Sequence, residues 1–262
     1  MKIETPSSRR VLRALKKLAI QALIIVAIAM IGVAMWNFIA DRREALESDP
    51  TKYTTAAASS SQPEETAPPL PNIDFEAQLQ DAPDVVAWLT IDHPKVKIDY
   101  PVVQSDDNAY YLTRTPTKKK NDFGSVFLDF RCHGDFSDFY NVLYAHTLDR
   151  DKSRMFGPLL RFKEKEIFDE IPTALLYTPA HVYELQFFSC AVVWHKDQNY
   201  YVNLAYFAPA EKDAFLENLK ETALHWRDIP IGYGDRIVAL STCSKEFDDA
   251  RTVVLGKLVE VG

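Results

Sequence analysis

Residues 18–40, LAIQALIIVAIAMIGVAMWNFIA, form the one long uncharged apolar run of the chain. As a helix, a run of this length reaches about 30 Å, enough to cross the hydrocarbon core of a bilayer. A cleaved export signal carries an apolar core of only about 7–15 residues, so the run reads as a retained transmembrane anchor. Trp36 suits the interface at its far end. Lys2, Arg9, Arg10, Arg13, Lys16 and Lys17 precede the run against the single Glu4, and a mixed DRRE follows it. By the positive-inside rule, residues 1–17 stay in the cytoplasm and everything after the anchor is exported. The expected product is a single-pass protein of the cell membrane with its main body outside.

The charge asymmetry bears on partners as well. The 262-residue chain carries a net charge of −7, of which residues 1–17 contribute +5, leaving −12 on the remainder. An acidic body argues against nucleic acid as a partner, because phosphate binding needs a basic face. Residues 48–72, SDPTKYTTAAASSSQPEETAPPLPN, have almost no large apolar side chains. Such a stretch cannot bury a core, so residues 41–72 read as a flexible extracytoplasmic spacer. The folded domain is expected over residues 73–262, without internal repeats.

Within that domain the reading is mainly β. The segments GSVFLDF, YNVLYAH, PTALLYTP, VYELQFFSCAVVW, DRIVALSTC and RTVVLGKLVEV are short runs of β-branched and aromatic residues bounded by turn formers. KIDYPVVQ reads as a strand interrupted by Pro101, hence an edge or a bend. Many short strands with polar links suggest a barrel or a sandwich. FEAQLQDAPDVVAWLTI opens with a short helical pattern and leads into a strand. MFGPLLRFKEKEIFDE looks helical around Leu159–Phe168. APAEKDAFLENLKETALHW reads as an amphipathic helix, with Phe215, Leu216, Leu219, Thr222, Ala223 and Trp226 on its apolar side and Glu211, Lys212, Lys220 and Glu221 on the wet side.

Three cysteines, at 132, 190 and 243, are too sparse for a disulfide scaffold or a zinc framework, and their odd number leaves at least one free thiol. Cys132 and Cys190 could pair in an exported domain. Cys190 lies inside the apolar run FFSCAVV and reads as an inert core thiol. Cys243 differs, because it ends a strand, follows two hydroxyl residues and precedes a polar loop. A thiol in such a place is a usable nucleophile if a base or a cation stands close. Arg251 follows eight residues later, where a returning neighbour strand would bring it back. Arginine cannot act as a base, but it can donate hydrogen bonds to an oxyanion. The proton carrier should be a histidine. Of the six histidines, His146 closes the strand YNVLYAH and mirrors the position of Cys243, with His195 the second choice. The bland alternatives are a small residue packed at a barrel rim for Cys243, and an ion pair with Asp248 or Asp249 for Arg251. The acidic stretches HGDFSD and DRDKS lack the ligand spacing of a calcium loop and read as solvated loops. No metal or other cofactor is expected.

The order His, Cys, Arg, with YAHT upstream and LSTC eight residues before the arginine, resembles the sortase family over about residues 73–261. The family's cysteine motif is Thr-Leu-x-Thr-Cys, against Ala239-Leu240-Ser241-Thr242-Cys243 here. Its histidine motif is close to Tyr-Gly-His-Asn, against Tyr144-Ala145-His146-Thr147. The run MFGPLLRFK after the histidine and the long helix before the cysteine strand are similar to class B members in particular.

The resemblance implies an eight-stranded β-barrel with N-terminal helices and an inserted amphipathic helix, behind one transmembrane helix. It implies a cysteine transpeptidase on the outer face of a Gram-positive membrane. Cys243 would attack the threonine carbonyl of a C-terminal sorting signal on a surface protein or pilin. The thioacyl intermediate would pass to an amine on a cell-wall peptide precursor or a pilin. His146 would move the protons and Arg251 would hold the oxyanion. Leu240, Ser241 and Thr242 would bind substrate. A papain-like protease has its cysteine before its histidine, so that order is wrong here. The competing class is a membrane-tethered binding module that keeps the barrel and has lost catalysis.

Overall fold

The structure, a computed structural model, describes residues 26–27, 29–36, 54–55, 72–148, 152–201, 209–232 and 234–261. The chain divides into two units, residues 1–47 and 48–262. In the first, residues 29–36 are helical, and Met30, Ile31, Val33 and Trp36 are exposed. Among the described residues no helix is long and apolar enough to cross a membrane. The basic segment 1–17 and both ends of the expected anchor, 18–25 and 37–40, lie outside the described residues.

The second unit opens with two short paired strands, β1 (Thr54–Thr55) and β2 (Asn72–Ile73). A stretch read as pure spacer therefore contains one described ladder, while residues 41–53 and 56–71 lie outside the description. Ile73 is buried against Trp88 and Tyr177. The helix Phe75–Asp81 follows, with Asp74 capping it by accepting a hydrogen bond from the Ala77 N–H at 2.9 Å. Among the described residues of the second unit this is the one α-helix preceding the barrel, where the family resemblance implies more than one.

Strands β3 (Val85–His93), β4 (Val96–Val103), β5 (Val126–Leu128), β6 (Tyr140–Tyr144), β7 (Thr173–Tyr177), β8 (Val182–Trp194), β9 (Ala223–Trp226), β10 (Arg236–Cys243) and β11 (Ala250–Glu260) build one sheet. Its order is β11-β10-β6-β5-β4-β3-β7-β8-β9, and β11 also pairs with β8. That second pairing closes eight strands into a barrel and removes the sheet edges that an open sheet would expose. The 13-residue β8 makes closure possible. One of its sides runs along β11, while the other meets β7 near its start and β9 near its end. The core fills the barrel with aliphatic and aromatic side chains, including fully buried Phe156, Phe162, Phe187, Phe188 and Tyr140.

Three local expectations need correction. Pro101 lies within the continuous strand β4, opposite Trp88 of β3. It is tolerated because β5 joins the other side of β4 only from Val102 onward. The amphipathic helix spans Pro209–Thr222 and stops there. Ala223–Trp226 instead forms β9, with Trp226 opposite Ser189 and His225 opposite Cys190. Phe215 and Leu219 of the helix are buried, and the Phe215 ring meets Tyr140 edge-on at 5.1 Å. The helical reading around Leu159–Phe168 resolves into a 3-10 turn, Gly157–Lys163, followed by the short helix Lys165–Glu170.

Candidate active site

Three adjacent strands deliver the three residues singled out by the sequence. β6 and β10 run parallel, with Tyr144 opposite Ser241. His146 and Cys243 each lie two residues beyond that pair, so they hold equivalent positions on neighbouring strand ends. Because side chains alternate along a strand, equal offsets put both on the same face. On the other side of β10, the antiparallel β11 has Arg251 directly opposite Cys243. Directly opposed residues in a ladder project to one face with their Cβ atoms about 5 Å apart. The cysteine therefore stands between the histidine strand and the arginine strand.

All three residues line one cleft of about 430 Å³. Cys243 is exposed and free. His146 Nε2 lies 2.8 Å from the Leu112 carbonyl oxygen, and Leu112 is also part of the cleft wall. If Nε2 donates there, Nδ1 is left as the acceptor nitrogen of a neutral ring. Arg251 Nη1 donates to the Ala250 carbonyl at 3.0 Å. Among the described residues no ion pair joins Arg251 to Asp248 or Asp249. Asp249 lies instead beside His195, 3.6 Å from Oδ2 to Nδ1, and takes a left-handed φ of 61° in the loop that connects Cys243 to Arg251. His195 lines the same cleft.

Ser241 and Thr242 also line the cleft, yet both hydroxyls are already bonded. Thr242 Oγ1 donates to the Ala145 carbonyl at 2.8 Å, so the 2.8 Å contact with Thr147 has Thr147 as its donor. This chain ties the β6 and β10 ends together beneath His146 and Cys243. Ser241 Oγ pairs with Tyr201 OH at 2.8 Å. Leu240 differs from the expectation for it: its side chain is fully buried in the barrel core, and it is absent from the cleft wall.

The other two thiols are free and buried, so no Cys132–Cys190 bond forms. Burial pushes both up to about 12, which keeps them protonated and unreactive at neutral pH.

Sequence reasoning missed Asn108, Leu112, Phe127, Arg131, Tyr144 and Tyr201 in the wall. Behind them lies Asp129, whose side chain is fully buried. Burial alone would raise its pKa. Hydrogen bonds and charge from Arg131, with help from Asn108, win and hold it below the usual carboxylate range. The one available signal was a carboxylate placed immediately after the apolar strand VFL.

No family profile matches the chain. It is similar to sortase B of Listeria monocytogenes, with 33% identity over 178 residues, covering 67% of this chain and 70% of the relative. Among solved structures it is similar to a Streptococcus pyogenes class B sortase involved in pilus biogenesis. That match has 30% identity and a TM-score of 0.59, and covers 71% of this chain and 98% of the other. A sortase B–substrate complex from Staphylococcus aureus is matched at 25% identity and a TM-score of 0.64, covering 72% and 85% of the two chains.

Proposed function

The chain belongs to the class B sortase family of cysteine transpeptidases, and we propose from this that it attaches exported proteins to the cell envelope through a thioacyl intermediate on Cys243. Cys243 passes its thiol proton to His146, and its sulfur attacks the carbonyl carbon of a threonine in a C-terminal sorting signal. The C–N bond to the next residue breaks, and His146 gives its proton to the departing amine. An incoming amine then attacks the thioester, His146 takes a proton from it, and the Cys243 sulfur is released. Arg251 donates hydrogen bonds to the oxyanion of both tetrahedral intermediates, where a preorganised donor is worth most. Ser241 and Thr242 form part of the groove floor. The acceptor amine belongs to a cell-wall peptide precursor or a pilin. The enzyme is held at the membrane by residues 18–40, with residues 41–262 outside.

The observation that carries this reading is the strand register, with Arg251 opposite Cys243 on one side and His146 in the equivalent position on the other. The competing reading, a barrel that only binds, leaves an exposed thiol between a histidine and an arginine without a use. The deciding experiment incubates the full chain, in detergent, with a library of sorting-signal peptides and candidate amines, and identifies products by mass spectrometry. Cleavage after threonine with transfer to an amine is expected. It should vanish in Cys243→Ala and persist in Cys132→Ala and Cys190→Ala. Loss of activity in a folded Cys190→Ala variant would overturn the thiol assignment. Peptide binding without any cleavage would favour the binding module.

A further inference from the structure

Asp129 follows β5 and is fully buried, yet it accepts five hydrogen bonds. Oδ1 takes the Arg131 backbone N–H at 3.0 Å and Arg131 Nε at 2.9 Å. Oδ2 takes Arg131 Nη2 at 2.8 Å, Asn108 Nδ2 at 2.9 Å and Tyr144 OH at 3.0 Å. The three side chains bonded to it come from three separate segments, and all three line the catalytic cleft, while Asp129 itself does not. The linkage continues along the cleft wall to Tyr201. Arg131 Nη2 also donates to the Tyr201 carbonyl at 2.8 Å, and Tyr201 closes the helix Gln198–Tyr201 and bonds Ser241 of the cysteine strand. The Tyr144 and Tyr201 rings stack at 6.2 Å across the same span.

Burying the Asp129 carboxylate beside a partly exposed Arg131 is a poor source of stability, since its desolvation offsets much of the attraction. What this pair does specify is geometry, because a carboxylate with every acceptor site filled fixes each of its donors. We propose that Asp129 is a positioning residue that sets the shape of the substrate groove, holding Asn108 and Tyr144 directly and Tyr201 through Arg131. It acts on substrate fit and leaves the thiol chemistry alone. The proposal rests on the transpeptidase reading for its substrate, but the groove geometry can also be measured without one.

The test uses the full chain in detergent and the best-cleaved peptide of the library. Asp129→Asn keeps the shape but turns one oxygen into a donor facing donors. KM should rise by roughly tenfold while kcat changes less than about threefold, the pattern of lost uniform binding. The rate of Cys243 alkylation by iodoacetamide should stay at the wild-type value, while the rate with the bulkier N-phenylmaleimide should shift by about threefold or more as the groove relaxes. In an Arg131→Gln background, Asp129→Asn should add little, because both act through one linkage. If Asp129→Asn fails to fold, Tyr144→Phe removes a single bond to the carboxylate, and its KM should still rise by about two- to threefold. Unchanged KM and an unchanged ratio of the two alkylation rates in a folded variant would overturn the proposal, as would a fall in kcat matched by slower iodoacetamide alkylation. If the wild-type chain cleaves no peptide, the transpeptidase reading fails, and the ratio of alkylation rates alone decides for or against Asp129.

Discussion

A lysine in place of Arg251 would carry the same charge but not the same hydrogen bonds, because an ammonium lacks the planar fork of a guanidinium. The two possible uses of this residue therefore separate. A positive field that favours the thiolate would survive Arg251→Lys, whereas oriented donation to an oxyanion would not. Since Arg251 is fixed opposite Cys243 by the ladder, the oxyanion role is the one expected to matter. Arg251→Lys should lose about 10²–10³ in turnover, the typical effect of removing one oxyanion donor. KM should hardly move, because the interaction strengthens only in the transition state. Steady-state kinetics on a sorting-signal peptide, paired with iodoacetamide alkylation rates, make the distinction. Near-normal turnover would reject the oxyanion role, and a matched fall in alkylation rate would assign the residue to thiolate stabilisation. Cys243 and Arg251 were legible because one polar loop joins them, so a single hairpin brings them together. Asp129 was not legible: its donors Asn108 and Tyr144 stand 21 and 15 positions away, and local pattern carries no record of such contacts.

The ladder between β8 and β11 closes the barrel, and its register shifts at Leu255/Gly256. Leu255 pairs with Ser189 and Gly256 with Phe187, so Phe188 is the extra residue of a bulge on β8. A Cβ on Gly256 would lie 2.7 Å from Leu185 Cδ1 and closer still to Cγ. Leu185 is fully buried and has no room to swing away. Gly256→Ala should therefore destabilise the domain by about 1–3 kcal/mol, the usual cost of overpacking a core. A thermal melt should show a drop of about 2–4 °C for each kcal/mol. Gly234→Ala is the control, since a Cβ there meets nothing within 4 Å, and it should stay within about 0.5 kcal/mol. Equal melting temperatures for the two variants would show that the β8–β11 seam is looser than its packing implies. The same ladder system limits what local pattern can reveal. The helical period through Phe215 and Leu219 continues onto Ala223 and Trp226, so sequence extended the helix. Ala223–Trp226 becomes a strand because β8 offers it a free side opposite Ser189–Ala191, a partner more than thirty residues earlier. Pro101 does not interrupt its strand, and it sits where β4 still has a free side, because whether a strand is an edge is decided by where its neighbour begins.

Strand content was readable along the chain, but strand order was not. β10 lies between β6, from the middle of the domain, and β11, which follows it directly, and only the distant β8–β11 pairing distinguishes a barrel from a sandwich. That arrangement gives the molecule one working end, where β6, β10 and β11 present His146, Cys243 and Arg251. On the proposed reading its substrates are exported proteins, which makes its location in the cell as much part of the mechanism as its register. The N-terminal sequence bears directly on that location. Residues 1–17 carry +5 and residues 18–40 carry no charge, while the remaining segments hold the −12 of the acidic body. Orientation follows the basic residues flanking the span, whereas acidic residues contribute little to it. The prediction is that residues 41–262 lie outside the cytoplasm and that the apolar run is retained. Protease added to intact, wall-stripped cells should degrade the catalytic domain, and the membrane fraction should contain a protein with its N-terminus uncleaved. Replacing Arg9, Arg10, Arg13, Lys16 and Lys17 with glutamine should weaken the bias and leave a fraction of the domain protected from protease until lysis. A wild-type domain that survives until lysis would reject the exported orientation. A soluble, exported domain beginning after residue 40 would keep the orientation but replace the anchor with a cleaved signal.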